Sequence, residues 1–148
     1  MYNHILVPLD GSPLAEQVLP HVRALAAAGL ASKVTLMRAV PREYPDVTES
    51  ATKTTEFVDP MKKLLNDAHS YLSDLIGPLR DEGLQVGTEV LIRYPADAIL
   101  EFAESEGVDL IALATHGRGG LGRWIYGSVT QKIMQTTPVP MLVVRPQA

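Results

Sequence analysis

The sequence predicts an α/β fold in which helices cover both faces of a mostly parallel sheet. Short apolar runs alternate along the chain with longer segments of helical periodicity, and this alternation is typical of βαβ units. The run from Leu110 to Ala114 is apolar throughout, as expected for a parallel strand that is buried on both faces. With 148 residues, of which 46% are hydrophobic, the chain has the size of one domain with its own core.

Five strands and four helices are predicted in order. Runs of apolar residues between turn signals predict the strands, and apolar residues at i, i+3 and i+4 predict the helices between them. The strands are Ile5–Leu9, Lys33–Val40, Gln85–Ile92, Asp109–Thr115 and Pro140–Val144. The helices are residues 13–28, 61–82, 95–106 and 128–135.

The first helix has clear start and stop signals in the sequence. Ser12 is a plausible N-cap, Pro13 suits a first helical turn, and Gly29 ends the segment. Pro20 interrupts the apolar stripe and is expected to kink the helix. Residues 41–59 show little periodicity and predict a long loop of the kind that often serves as a lid.

Composition excludes several classes of protein. The chain has no cysteine, so it has no disulfide framework, thiolate metal site or cysteine nucleophile. Its net charge of −4 argues against a general nucleic-acid footprint. No apolar run has the length of a membrane span, and residues 1–10 do not resemble a secretory signal. We therefore expect a cytoplasmic protein without nucleic-acid or membrane partners.

Two motifs follow strand ends, where ligands bind in doubly wound sheets. Asp10-Gly11-Ser12 follows the first strand, and residues 116–128 follow the fourth. Residues 115–130 hold five of the 11 glycines, and residues 116–132 hold Arg118, Arg123 and Lys132 but no acid. A helix that begins near Ser128 would offer N–H groups to an anion, although a simple turn capped by Ser128 also fits. The pattern is neither a P-loop nor a dinucleotide fingerprint.

Four segments together resemble the universal stress protein family over the whole chain. They read Val-Pro-Leu-Asp-Gly-Ser at residues 7–12, Ala-Thr-His-Gly-Arg-Gly-Gly-Leu at 114–121, Tyr-Gly-Ser-Val-Thr at 126–130 and Pro-Val-Pro-Met-Leu-Val-Val at 138–144. The resemblance implies a three-layer sandwich with a five-stranded parallel sheet of order 3-2-1-4-5. It also implies a homodimer formed through the last strand.

The ATP-binding branch of that family carries the pattern Gly-x2-Gly-x9-Gly-Ser/Thr. Gly117, Gly127 and Ser128 match it, whereas Ala114 takes the place of the first glycine. Alanine is tolerated there if the backbone is extended, and it weakens binding if a positive φ is needed. Motif and resemblance together assign the nucleotide site to Pro8, Leu9, Asp10, Val40, Leu113, Ala114, Thr115, His116, Gly117, Arg118, Gly127, Ser128, Val129 and Thr130.

Two of these residues leave alternatives open. Asp10 is either a turn-forming or capping residue or a contact to ribose or to a phosphate-bound Mg²⁺. His116 is a loop residue, a ligand contact or a general base, but no carboxylate or nucleophile stands at a spacing that supports catalysis. Enzymes of related α/β folds carry a His-x-Gly-His type motif where this chain has Asp10-Gly11-Ser12-Pro13.

These observations predict a stress-response module that binds ATP, with Mg²⁺, and regulates rather than catalyses. The alternatives are a slow ATP hydrolase and a dimeric scaffold that binds no nucleotide. Because an uncovered apolar edge strand invites pairing, we expect a homodimer through Met141, Leu142 and Val143.

Overall fold

Strands and α-helices alternate along the whole of the computed structural model, which describes residues 1–41, 60–115 and 127–147. The strands are β1 (Tyr2–Leu9), β2 (Ala31–Ala39), β3 (Val86–Leu91), β4 (Leu110–Ala114) and β5 (Met141–Val144). The helices are α1 (Leu19–Ala27), α2 (Pro60–Asp81), α3 (Pro95–Ser105) and α4 (Ser128–Thr136). Most of the predicted loop at 41–59 lies outside the described residues, and none of the described helices is long and apolar enough to cross a membrane.

All five strands form one parallel sheet of order β3-β2-β1-β4-β5. This confirms the predicted fold class and strand order. The chain builds outward from β1 through β2 to β3, and it then returns to the other side of β1 for β4 and β5. The winding therefore reverses between β1 and β4, and the carboxyl ends of these strands border a crevice where doubly wound folds bind ligands.

Two apolar layers sandwich the sheet. Ile5, Leu6 and Val7 on β1 are fully buried, as expected for the central strand of a parallel sheet. One face packs on α1 and α2 through Val22, Leu72 and Leu79, and on Val18 just before α1. The other face packs on α3 and α4 through Ile99, Ala103 and Ile133. Each large side chain buried in this way contributes roughly 1.5–3 kcal/mol.

The first helical segment differs from the prediction at Pro20. Residues Ala15–Val18 form a 3-10 turn, and α1 begins at Leu19 with Pro20 in its first turn. A proline there lacks only an N–H that has no intrahelical partner, so Pro20 starts the α-helix instead of kinking it. Ser12 is not the N-cap, because Leu14 takes that position of the 3-10 turn; the Ser12 hydroxyl still accepts the Ala15 N–H at 3.2 Å.

Side chains hold the amino-terminal edge of the sheet together. The Asp109 carboxylate accepts the N–H groups of Asn3 and His4 at 2.7 and 2.9 Å. The buried His4 ring bonds the Thr35 hydroxyl at 2.7 Å and the Glu106 carbonyl oxygen at 3.2 Å. These contacts join the starts of β1 and β4 to β2 and to the end of α3.

The same contacts shift the ionisation of Asp109. Burial works to raise the pKa of its carboxyl, but the hydrogen bonds from the His4 and Asn3 backbone outweigh burial and hold the pKa below its ordinary value. A lowered folded-state pKa stabilises the fold above the unfolded-state pKa. That stabilisation is lost as the pH falls through the folded-state pKa.

We expect Asp109→Ala to lower the free energy of unfolding by about 1–2 kcal/mol at pH 7, because two backbone donors lose a charged acceptor. The difference from the parent chain should shrink as the pH falls from about 4, the unfolded-state pKa, towards the lower folded-state pKa. Urea unfolding at pH 7 and pH 3 measures both values. Glu104→Ala on the exposed surface of α3 is the matched control, and an equal loss at both pH values would contradict the assignment.

Candidate functional site

A cavity of about 280 Å³ lies at the reversal point of the sheet; we call it the first cavity. Strand ends of β1, β2 and β4 form its floor, and the first residues of α3 and α4 form part of its rim. Its size is close to the lower end of ordinary small-molecule sites, about 300 Å³. The lining residues are Pro8, Leu9, Asp10, Ala15, Met37, Ala39, Pro95, Ile99, Leu113, Ala114, Gly127, Ser128, Val129 and Thr130.

The rim of the first cavity includes the start of α4. Gly127 occupies the N-cap position with φ −51° and ψ 147°, and Ser128 is the first helical residue. One interpretation of the sequence was a simple turn capped by Ser128. The structure differs, because Gly127 and not Ser128 takes the cap position. The N-cap glycine has no side chain to bond the first-turn N–H groups, which have no acceptor within the helix. These groups and the helix dipole favour an anion at this end of the cavity.

Asp10 lies at the mouth of the same cavity, directly after β1. Its carboxylate accepts the Ser12 N–H at 2.9 Å, which is the bond of an Asx turn. The turn-forming role expected for this residue is thus present in the structure. A carboxylate offers about four acceptor positions, so forming the turn is compatible with contacting a ligand.

The structure brings together most of the predicted site residues that it describes. Val40 and Thr115 do not line the first cavity. The Val40 N–H donates to the Leu91 carbonyl at 2.8 Å, and Thr115, which is buried, donates its N–H to the Val144 carbonyl at 3.0 Å. The loop residues His116, Gly117 and Arg118 lie outside the described part of the chain. The residues placed around the cavity are Pro8, Leu9, Asp10, Leu113, Ala114, Gly127, Ser128, Val129 and Thr130.

Sequence reasoning missed five lining residues. Ala39 lines the first cavity and its neighbour Val40 lines the second, because successive side chains of a strand point to opposite faces; the expected contact of the Val40 backbone with the base stays a prediction. Met37, two residues earlier, shares the face of Ala39 and could have been found from that alternation. The other missed residues, Ala15, Pro95 and Ile99, look like ordinary core or helix-start positions in the sequence.

The backbone at Ala114 is extended, which is the conformation that tolerates alanine in place of the first glycine of the pattern. Ala114 is the last residue of β4 and pairs in register with Val144 of β5. A strand position suits alanine, so the backbone here does not require glycine. Lys132, counted among the cations of the loop region, instead pairs with Asp97 at 2.9 Å and links α4 to α3.

A second cavity, of about 390 Å³, adjoins the first on the α2 side of the sheet. Ala39 borders both cavities, and Asp10 and Gly11 border one each. The lining residues are Gly11, Arg38, Ala39, Val40, Pro41, Leu64, Asp67, Ala68 and Tyr71. Neither cavity is a ready metal site, because the described residues include no group of three or more His, Asp or Glu side chains placed to hold an ion.

Tyr71 is the unusual member of the second cavity. Its hydroxyl oxygen is buried and meets no hydrogen-bond partner among the described residues. Burial raises the pKa of this hydroxyl above its ordinary value, and the nearby Glu16 carboxylate raises the pKa further. The Glu16 carboxylate is not placed to form a hydrogen bond with the hydroxyl. Tyr71 is therefore a neutral donor at physiological pH.

Substitution by alanine should lower the stability of the fold at one glycine of the site and leave it nearly unchanged at another. Gly11 has φ +88°, and a Cβ there would lie 3.3 Å from Nη1 of Arg38, so we expect Gly11→Ala to cost about 1–2 kcal/mol of unfolding free energy. Gly127 has an ordinary φ and nothing within 4 Å of the Cβ position, so Gly127→Ala should stay within about 0.5 kcal/mol of the parent. Chemical denaturation measures both, and equal losses would contradict this account.

Comparison with known proteins gives a consistent result. A family model described as the universal stress protein family matches residues 1–145. Universal stress protein MJ0577 from Methanocaldococcus jannaschii is 31% identical over 156 residues, covering 98% of this chain and 96% of that protein. Universal stress protein YxiE from Bacillus subtilis is 30% identical over 150 residues, covering 98% of this chain and all of that protein.

Solved structures share the fold. The structure of MJ0577 matches with a TM-score of 0.79 at 32% identity, covering 99% of this chain and 98% of that one. A universal stress protein from Archaeoglobus fulgidus, solved with dAMP, matches at 0.66 and 20% identity over 96% of this chain and 97% of that one. Another family member, solved with cAMP, matches at 0.62 and 20% identity over 99% and 98%. The chain belongs to the universal stress protein family.

Proposed function

We propose that this protein binds an adenine nucleotide in the first cavity, as ATP with Mg²⁺, and that it acts in the cytoplasm as a regulatory stress-response module. The observation that carries the proposal is the pairing of an apolar cavity with an uncapped helix start at its rim. Family members solved with dAMP and cAMP support an adenine nucleotide as the ligand class.

The apolar part of the first cavity is suited to a planar base. Met37, Ile99 and Leu113 present apolar side chains, and Ala39 adds a small one. Sites for small ligands combine such walls with a few polar groups that fix orientation. The base would therefore lie between the ends of β2 and β4.

The phosphates would lie at the start of α4. The N–H groups of Ser128, Val129 and Thr130 belong to its first turn. Hydrogen bonds to a charged group contribute about 1.5–3 kcal/mol each, and three of them would sustain micromolar binding after ordering costs. Gly127 leaves open space where a side chain would stand, so a phosphate can approach the backbone closely. Gly117 matches the second glycine of the family pattern, and we expect it and its neighbours His116 and Arg118 to contact the nucleotide.

The Asp10 carboxylate would accept hydrogen bonds from the ribose hydroxyls. A direct contact with phosphate would be repulsive, whereas hydroxyl groups donate to a carboxylate. Mg²⁺ would arrive on the triphosphate, since this ion keeps several waters and needs few protein ligands when phosphates supply oxygens. That requirement fits a site whose described residues hold no cluster of metal ligands. When bound, the ion would neutralise part of the phosphate charge.

Calorimetric titration tests the proposal. We expect Mg²⁺-ATP to bind with a Kd of about 1–100 μM, and Gly127→Val to weaken binding at least about tenfold because its side chain occupies the phosphate position. Gly87→Val on β3 is the matched control, because Gly87 also has open space at its Cβ position. If millimolar nucleotide produces no heat of binding and no thermal shift, the proposal is ruled out.

The same samples separate the two alternatives. Release of phosphate that is lost in the Gly127 variant would identify a slow ATP hydrolase. A parent chain that neither binds nor co-purifies with nucleotide would identify a scaffold.

We also propose a homodimer through the free edge of β5. The Pro140 and Val144 carbonyl oxygens accept N–H groups of Ile111 and Thr115 at 3.0 Å. Backbone groups alternate direction along a strand, so the N–H and C=O of Val143 face away from β4. Met141, Leu142 and Val143 are half-buried in the single chain, and strand pairing across a two-fold axis would cover them.

Val143→Pro should give a monomer, because it removes an outward N–H while keeping the bonds to β4. Val143→Ala keeps that N–H and should remain a dimer. Size-exclusion chromatography with light scattering at micromolar concentration measures both. A monomeric parent chain would refute the dimer proposal.

A further inference from the structure

We propose that the second cavity receives the ribose hydroxyls of the bound nucleotide and that Arg38 and Tyr71 determine selectivity for the sugar. The inference rests on the proposed function, because it extends the same site. It adds two polar residues, on β2 and α2, that neither the glycine motif nor the predicted site includes.

The two cavities meet where a sugar would lie. Ala39 borders both, Asp10 lies on the first, and Gly11, the next residue, lies on the second. A nucleotide with its base in the first cavity and its phosphates at α4 has its ribose between them. A ribose beside Asp10 therefore has the second cavity as its neighbour on the side away from α4.

Arg38 is fixed at this junction by the sheet. Its backbone is in register with Leu9 of β1, and its half-buried guanidinium lies over Gly11, where Nη1 stands 3.3 Å from the position of a Cβ. Gly11 has φ +88°, so the absence of a side chain serves both the turn and the space that Arg38 occupies. The guanidinium thus lies beside Gly11, the residue that follows Asp10.

Tyr71 supplies an unsatisfied group at the same place. Buried polar atoms in native proteins nearly always have a partner, and an exception calls for an explanation such as a ligand. The Tyr71 hydroxyl is buried without a described partner, and it feels the charges of Glu16, Asp10 and Arg38. A ligand oxygen that entered the second cavity would give this hydroxyl an acceptor.

The charge balance identifies the ligand group. Asp67 lines the second cavity with Arg38, and Tyr71 lies in the field of the Glu16 and Asp10 carboxylates as well as of Arg38, so the surroundings of this hydroxyl disfavour a phosphate. A neutral group that both donates and accepts fits best. The vicinal hydroxyls of ribose are such a group, because they can donate to a carboxylate and accept from Tyr71 and Arg38.

Calorimetry with three nucleotides tests the inference. Mg²⁺ complexes of ATP, 2′-deoxy-ATP and 3′-deoxy-ATP are titrated into the parent chain, Tyr71→Phe and Arg38→Met. We expect the parent to bind at least one deoxy analogue about tenfold more weakly than ATP, since a site that bonds a hydroxyl rejects the ligand lacking it. In both variants this ratio should fall below about threefold, through loss of ATP affinity.

Matched controls separate selectivity from general damage. Tyr2→Phe lies at the other end of the sheet, and Arg23→Met removes an exposed arginine that pairs with Glu82; neither should change the ratio. Tyr71→Phe removes an unpartnered buried hydroxyl, so it should fold at least as well as the parent. It therefore keeps the test open even if Arg38→Met is unstable.

Three results would overturn the inference. The parent could bind ATP and both analogues equally, or the variants could weaken all three nucleotides by one factor, as a merely structural role would. Either result leaves the proposed function standing. A parent chain that binds none of the nucleotides at millimolar concentration would remove the proposed function and this inference together.

Discussion

Parallel pairing of β1 on both of its sides is the constraint on which the rest of the molecule depends. Right-handed crossovers from β1 through β2 to β3 send α1 and α2 to one face, and the return to β4 and β5 places α3 and α4 on the other. The winding of the sheet reverses between the carboxyl ends of β1 and β4. The first cavity lies there, and its floor consists of strand ends that are already fixed by the core.

The junction at Asp10-Gly11 divides the site by chemistry. On one side stand apolar residues and the positive end of α4, and on the other stand Arg38, the Tyr71 hydroxyl and the Asp67 carboxylate. A ligand that spans the junction must therefore be apolar at one end, anionic at another and neutral but hydrogen-bonding in the middle.

The sequence predicted the fold class and nearly all elements because parallel strands and amphipathic helices leave strong periodic patterns. The pairing order came from family resemblance, since periodicity does not reveal which strands are neighbours. One error was local: Pro20 was expected to kink a helix, but it lies in the first turn of α1. Ile99 and Tyr71 carried no signal, because only tertiary packing turns them towards a cavity.

The Asp109 contacts have a further consequence for how this scaffold tolerates change. They fasten the starts of β1 and β4, whereas the cavities lie at the opposite ends, where Pro8–Asp10 stand roughly 13–20 Å from His4 along the strand. Free-energy changes at sites this far apart are close to additive. The amino-terminal edge can thus serve as a reservoir of stability, where reinforcing substitutions offset losses incurred by reshaping the pocket. Laboratory evolution of new ligand preferences could begin from chains strengthened at that edge.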